Sequence, residues 1–424
     1  MMNLIGGTPR KVLALACVAL IFTLPQMGNT SPVHLSPVAT PIPASFFGIH
    51  LHRPATDTWP QIPFAEWRLW DSKGTIWYDL EPRKSEWNFS QLDQDVAVAE
   101  QHGIGLLLTL GQTPPWASSG PEDPPAWRPG GVAPPKDERD WIDYLRTVVT
   151  RYKGRIHEYE IWNEPNLKEF FTGSAEQLLT LAKDAYRIIH EIDPTAVVVS
   201  PSITGEQGVA WLDKYLTIGG GNYADVIGYH FYVASKAPEI AVETIQQIHS
   251  VLHKHSVDKP IWNTESGWLI HSDFEHPESG TSNVVLSPVE GLSYVMRAYL
   301  VNWASNVSRL YWYDWDGNPM GLGDNMGRQS KLAAFGYSTI EGWLVGATMR
   351  GCDRDRDGSW VCELDRDGHT ERIIWNSNHA ISKTIPSNWK INHVVTLSPT
   401  GIKQLSDIGG SAMVEYASIP SLLY

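Results

Sequence analysis

The stretch Glu160-Ile161-Trp162-Asn163-Glu164-Pro165-Asn166 decides the fold of this 424-residue chain. It reads as a short buried strand that ends abruptly on polar residues, and Pro165 blocks any continued pairing. A second stretch, Lys259-Pro260-Ile261-Trp262-Asn263-Thr264-Glu265-Ser266-Gly267-Trp268, follows the same plan. In each, Ile-Trp-Asn leads into a glutamate. A carboxylate closing an apolar strand is costly unless other groups satisfy it. Two in matching positions point to equivalent ends of two strands in one parallel sheet.

Working outward, short β-branched or aromatic runs alternate with longer amphipathic stretches. The candidate strands are residues 46–51, 64–70, 104–110, 157–162, 196–200, 225–230, 259–263 and 308–313. Eight strand–helix steps over residues 46–345 predict a (β/α)8 barrel of the α/β class. The helices carry their own punctuation. Ser174-Ala-Glu-Gln177 is a capping box opening a face of Leu178, Leu181, Ala182, Ala185 and Ile188, which Pro194 ends. Asp137 caps a run of Trp141, Leu145, Val148 and Tyr152 that stops at Gly154. Residues 53–63 are too short and Pro-rich for a full crossover helix.

The two ends read differently. Arg10-Lys11 followed by an apolar run from Val12 to Leu24 predicts an export signal within residues 1–30, too short to span a bilayer. That places the chain outside the cytoplasm, secreted or periplasmic, with no membrane span once the signal is removed. Residues 31–45, with Pro32, Pro37, Pro41 and Pro43, read as a linker. Residues 346–424 hold short alternating runs and a hairpin signal at Arg366-Asp367-Gly368, predicting a small sandwich-like all-β domain. Cys352 and Cys362 flank a polar turn, and in an oxidising compartment they are expected to form a disulfide. Asp353, Asp355, Asp357 and Gly358 mimic the start of a calcium loop, but Leu364 stands where a bidentate glutamate is needed.

The formal charge of −14 argues against nucleic acid or an anionic membrane as partner, and against a strongly polyanionic ligand. Nineteen tryptophans, most of them between Trp59 and Trp343, suit both a dense core and a groove whose indole faces stack on sugar rings. Several polar and aromatic residues fall at predicted strand ends on one rim: Arg68, Gln112, Trp116, Asn163, Glu164, His230, Tyr232, Glu265, Trp268, Trp312 and Trp315. Of Trp312 and Trp315, alternation lets only one face inward easily. Two carboxyl groups converging from different strands are what glycosidic cleavage needs, one to protonate the leaving oxygen and one to attack the sugar carbon. Neither a metal nor a cofactor is required. Asp314, Asp316 and Asp324 follow no metal-ligand spacing.

The Trp162-Asn163-Glu164-Pro165-Asn166 motif, His230-Phe231-Tyr232 and Thr264-Glu265-Ser266-Gly267-Trp268 resemble the retaining glycoside hydrolases built on (β/α)8 barrels. Arg68-Leu69-Trp70-Asp71, Glu81-Pro82 and Leu110-Gly111-Gln112-Thr113-Pro114-Pro115-Trp116 are most similar to glycoside hydrolase family 39 and its allied exopolysaccharide hydrolases. The resemblance implies Glu164 as acid/base and Glu265 as nucleophile. It implies that Tyr232 donates to Glu265, that Arg68 lends positive potential beneath it (unless it pairs with Asp71), and that Asn163 holds a sugar 2-hydroxyl. His230 is expected to line that subsite or orient the tyrosine. The implied activity is hydrolysis of a β-linked polysaccharide or oligosaccharide, with endo action on an exopolysaccharide or hemicellulose foremost. Long loops at 114–135 and 269–288 would wall a groove or close a pocket, the choice that decides endo against exo action. A transglycosylase would use every residue named, and a glycan-binding matrix protein would have lost one of the glutamates.

Overall fold

The architecture follows from a computed structural model describing residues 31–424 apart from 55–58, 123–127, 272–284, 318, 325–326 and 409–411. The expected export signal, and most of the 269–288 loop, therefore lie outside the described residues. In chain order the first elements are β1 (Val33–Leu35), β2 (Phe47–His50), β3 (Glu66–Leu69), α1 (Trp77–Leu80), α2 (Ser90–His102), β4 (Gly105–Leu110), α3 (Glu138–Tyr152), β5 (Glu158–Ile161) and α4 (Ala175–Ile192). They continue as β6 (Val197–Val199), β7 (Ile203–Thr204), α5 (Gly208–Thr217), β8 (Ile227–His230), α6 (Ala241–Lys254), β9 (Ile261–Ser266), α7 (Pro288–Ala304), β10 (Val307–Trp312) and α8 (Leu332–Leu344).

The barrel sheet runs β6-β5-β4-β3-β2-β10-β9-β8-β7, with every ladder parallel. Its two ends, β6 and β7, are halves of one interrupted strand. A parallel bridge between Val199 and Val226 closes the circle, so eight strands form the barrel. The break leaves Ser202 between the two halves, and Ser202 O accepts from Glu164 N–H at 2.8 Å. Between β2 and β3 the described residues contain no helix, as the prolines there predict.

The helices form where the sequence punctuates them. Ser174 and Gln177 close a reciprocal capping box on α4, and Ser287 with Glu290 does the same on α7, where Pro288 takes the first turn. Leu178, Leu181, Ala182, Ala185 and Ile188 of α4 are all buried against the barrel. Deleting one such leucine side chain costs about 2–5 kcal/mol.

Residues beyond the barrel form β11 (Thr348–Arg354), β12 (Ser359–Arg366), β13 (His369–Asn376), β14 (Ile381–Thr384), β15 (His393–Leu397), β16 (Lys403–Asp407), β17 (Met413–Tyr416) and β18 (Ser421–Leu423). Seven strands make an antiparallel sheet in the order β1-β11-β12-β13-β18-β15-β16, and β14 pairs with β17 as a separate ribbon. Ile374, Ile385, Ile391, Val394, Val414 and Tyr416 fill the space between them. The predicted 31–45 linker needs correction. Val33–Leu35 is an edge strand of this sheet paired with β11, and Ile42 is buried beside Ala347 with a backbone bond to it. Alternating burial, with Leu35 inside, lets three residues between prolines complete a sheet edge. Cys352 and Cys362 face each other across β11 and β12 and are disulfide-bonded. At the calcium-like turn the cation is Lys383, whose Nζ sits 2.9 Å from Asp355 and 2.8 Å from Asp357.

The β domain is fixed to the barrel through buried charge. Arg297 on α7 donates to both oxygens of Glu239 at 2.7 and 2.5 Å, and Trp375 of β13 donates to the same carboxylate at 2.7 Å. Glu239→Ala would leave Arg297 buried without a counter-charge. It is expected to cost about 3–5 kcal/mol, read as a fall in the thermal or denaturant midpoint.

Candidate active site

Strand β5 delivers two carboxylates to different depths. Glu160 lies within the strand and points into the barrel, whereas Glu164 lies just beyond it. The chain reaches Glu164 through two left-handed residues, Trp162 at φ 65° and Glu164 at φ 44°. Such backbone costs about 1–3 kcal/mol per residue and persists only where surroundings hold it. Here they do. Trp162 donates to Phe170 O at 2.8 Å, and Asn166 ties the following loop to Thr204 by two bonds of 2.9 and 3.1 Å. Gly111 leaves room for the Trp162 ring, because a Cβ there would sit 2.8 Å from it.

Arg68 on β3 occupies the centre of the site. Its Nε donates to Glu160 at 2.7 Å, its Nη1 to Glu265 at 2.8 Å and its Nη2 to Asn163 Oδ1 at 2.7 Å. The expected alternative of pairing with Asp71 is replaced by this three-way clamp. Against the cost of burial, Glu160 and Glu265 hold the guanidinium above its ordinary value. The other oxygen of Glu265 accepts from Tyr232 Oη at 3.0 Å. Both oxygens of that carboxylate thus face donors. Burial nonetheless pushes Glu265 up to about 7, with Arg68 pulling it down and Asp71 pushing it further up. Burial likewise raises Tyr232, and the neighbouring Glu265 adds to the shift.

Oxygens of Glu164 and Glu265 lie within 4.8 Å of one another, with a nitrogen of His230 inside the same radius. His230 meets Glu164 directly, its Nδ1 lying 2.8 Å from Oε1, while its Nε2 is 3.1 Å from Thr264 Oγ1. That differs from the expected role of orienting Tyr232: the two rings are 6.4 Å apart, and the bond goes to the acid instead.

The aromatic candidates divide. Trp268, Trp312 and Trp315 are 4%, 0% and 2% exposed, and each spends its indole N–H on a backbone carbonyl (Lys236, Met320 and Gly327). Trp268 stacks on Trp312 at 5.6 Å. These rings form a buried wall rather than open platforms. Trp116 donates to Glu81 O at 2.7 Å and lines a separate cavity of about 150 Å³ with Trp87, Lys84 and Asp140. Gln112 is buried and accepts from Arg128 at 3.5 Å. Neither is brought to the glutamate pair by these contacts.

Sequence reasoning missed Glu160, Ser202, Thr264 and His52. Glu160 had a signal, since it points inward two residues before Trp162 in a strand with no solvent face. His52 had none. It bridges Asp71 at 2.9 Å, Asp314 at 3.1 Å and Asp316 at 3.3 Å, joining the start of the barrel to its last strand. Against its burial, those aspartates hold the imidazole well above its ordinary value. Asp71, buried yet held low by His52, also accepts from Tyr313 at 2.6 Å.

The chain is similar to known proteins in both sequence and fold. Residues 73–272 match the model for Glycosyl hydrolases family 39. A beta-xylosidase of Geobacillus stearothermophilus is 30% identical over 165 residues, covering 37% of this chain and 32% of that protein. An endo-1,4-beta-xylanase C of Paenibacillus barcinonensis is 25% identical over 188 residues, 38% of this chain and 17% of that protein. The matches thus span a third or less of these relatives' length. Among solved structures, a family 39 glycoside hydrolase from the gut symbiont Bacteroides cellulosilyticus WH2 superposes with a TM-score of 0.68 at 19% identity, over 90% of this chain and 80% of that one.

Arg68→Met removes the cation from two buried carboxylates. A loss of about 3–5 kcal/mol at neutral pH is expected. The sign follows from Glu160, which Arg68 holds below its ordinary value against the effect of burial. That stabilisation is present above the unfolded carboxylate pKa and disappears as pH falls through the folded one. The deficit relative to wild type should therefore shrink on acidification below pH ~4, measured by denaturant titration across pH.

Proposed function

We infer, this chain being a family 39-like member of the glycoside hydrolases built on (β/α)8 barrels, that it is an exported retaining β-glycosidase. The observation that carries the reading is the carboxylate spacing. Oxygens of Glu164 and Glu265 within 4.8 Å suit direct attack on the anomeric carbon and are closer than the separation an inverting pair needs to seat sugar and water together. In the first step Glu265 attacks that carbon, the glycosidic C–O bond breaks, and the proton of Glu164 passes to the departing oxygen. In the second, Glu164 takes a proton from water, the resulting hydroxide attacks the same carbon, and Glu265 leaves.

The surrounding contacts fit those roles. Arg68 and Tyr232 direct donors at both oxygens of Glu265, favouring the charged form that attacks. Arg68 holds Asn163 by its oxygen, which fixes Nδ2 as the donor end for a sugar 2-hydroxyl. That contact strengthens as positive charge develops on the sugar ring.

The substrate is a β-linked polysaccharide or oligosaccharide cut internally. The xylosidase and xylanase names of the relatives put xylan first among neutral candidates, and the net charge of −14 disfavours polyanionic glycans. The apolar run behind Arg10-Lys11 supports secretion or a periplasmic location. Among the described residues, no helix is long and apolar enough to cross a membrane.

Reducing-end release from a panel of xylans, β-glucans, mannans and bacterial exopolysaccharides tests the reading. Glu265→Gln should cut release by about 10⁴-fold or more on any substrate the wild type cleaves. Equal release by both would remove the nucleophile assignment, and longer products without net release would indicate transglycosylation. The pH profile supplies a separate check. Glu265 must be ionised to attack, so kcat/KM should fall as pH drops through about 7. Tyr232→Phe removes a donor to the charged form and should move that acid limb to higher pH.

A further inference from the structure

Beneath the two glutamates, an unbroken line of hydrogen bonds runs from Arg68 to Glu164, and its chemistry gives it one direction. It starts at Glu160. That carboxylate receives Arg68 Nε at 2.7 Å, Arg68 Nη2 at 2.5 Å and Thr109 Oγ1 at 2.7 Å. Clamped by a guanidinium, it is ionised and can only accept. Ser202 Oγ therefore donates its single hydrogen to Glu160 Oε1.

The next bond has its polarity forced. Ser202 Oγ and Thr264 Oγ1 are 2.7 Å apart, and either hydroxyl alone could donate. With the serine hydrogen spent, Thr264 must donate to Ser202. Thr264 then has only lone pairs to offer His230 Nε2 at 3.1 Å, so that nitrogen carries a hydrogen. A neutral imidazole holds one hydrogen. With the ring in that neutral form, Nδ1 keeps its lone pair facing Glu164 Oε1 at 2.8 Å and accepts the carboxyl hydrogen of Glu164.

We propose that Glu160, Ser202 and Thr264 are a one-way relay that fixes His230 as its Nε2–H tautomer, so that Nδ1 keeps a proton on Glu164. The three are positioning residues and touch no substrate. The proposal rests on the acid/base reading of Glu164 and explains how the site starts each turnover with an acid at one carboxyl and a charge at the other. No proton is gained or lost by the relay. Glu164 gives its proton to the leaving oxygen and recovers one from water, and Nδ1 is the acceptor that holds each in place.

The fold makes room for the line. Ser202 sits in the gap between β6 and β7, and a side chain at Gly228 on the neighbouring strand would overlap its Oγ. The charged or titratable groups around His230 are Glu160 and Glu164 from β5 and its loop, Glu265 from β9, Arg68 from β3 and Tyr232 beyond β8. Of these, only Glu164 bonds to the ring, Thr264 being its uncharged partner. His50 reaches the same residue by another route, donating to Thr264 O at 3.1 Å, and so does not compete for the hydroxyl.

Nitrogen-15 NMR of the full chain labelled at histidine tests this without a substrate. In the wild type His230 should show a protonated Nε2 and a bare, hydrogen-bonded Nδ1. Thr264→Val should release the constraint and give mixed tautomers, whereas Thr264→Ser should keep the wild-type pattern. On whichever substrate the wild type cleaves, Thr264→Val should bring the basic limb of kcat down by about one pH unit and slow cleavage about tenfold where the leaving group needs protonation. Thr264→Ser should restore both. A wild-type His230 protonated at Nδ1, or a Thr264→Val protein with unchanged tautomer and pH profile, would overturn the relay. Should the glycosidase reading fail instead, with Glu265→Gln as active as wild type, the NMR result still decides the relay.

Discussion

Everything in this site depends on a single guanidinium held between two buried carboxylates. Arg68 meets Glu160 on one side and Glu265 on the other, while its third arm fixes Asn163. Away from bulk water such attractions are several-fold stronger than at a surface, and the desolvation they must offset is larger too. The arrangement is stable only as a unit. The arginine needs both acids, and each acid needs the arginine. What remains after that balance is a carboxylate, Glu265, whose orientation is fixed and whose charge is finely poised.

The other groups tune that poise from two directions. From the rim, Tyr232 donates to Glu265. From below, Asp71 bears the opposite influence, and it is itself fixed by Tyr313 and by His52 in its cage of aspartates. Glu164, the proposed acid/base, is handled separately, through His230 and the hydroxyls behind it. Chemically identical side chains thus acquire different duties because they rest on different neighbours. Glu265 rests on a cation and Glu164 on an imidazole.

Legibility in the sequence followed the range of the interaction involved. Strand periodicity, the capping box at Ser174, and the paired Ile-Trp-Asn motifs are local, so the barrel could be read along the chain. Glu164 and Glu265 stood out because a carboxylate after an apolar strand has no local reason to be there. Trp268, Trp312 and Trp315 looked the same as candidate sugar platforms, yet they are buried with their indole N–H groups committed to carbonyls. A tryptophan sequence position does not say which face stays wet. Nor did proline content reveal that residues 33–35 complete the edge of a sheet whose other strands lie more than three hundred residues away.

The sequence by itself determined a parallel barrel, a β appendage and two glutamates at matching strand ends, because each depends on residues within a turn or strand of one another. Only the tertiary structure decided what surrounds those glutamates. Arg68, Glu160, Ser202, Thr264 and His230 come from five separate segments of the chain, and none marks its partners in its own neighbourhood. Their hydrogen-bond directions exist only once all are in contact, since a hydroxyl can donate either way until a neighbour spends its hydrogen. Closing the barrel makes that choice.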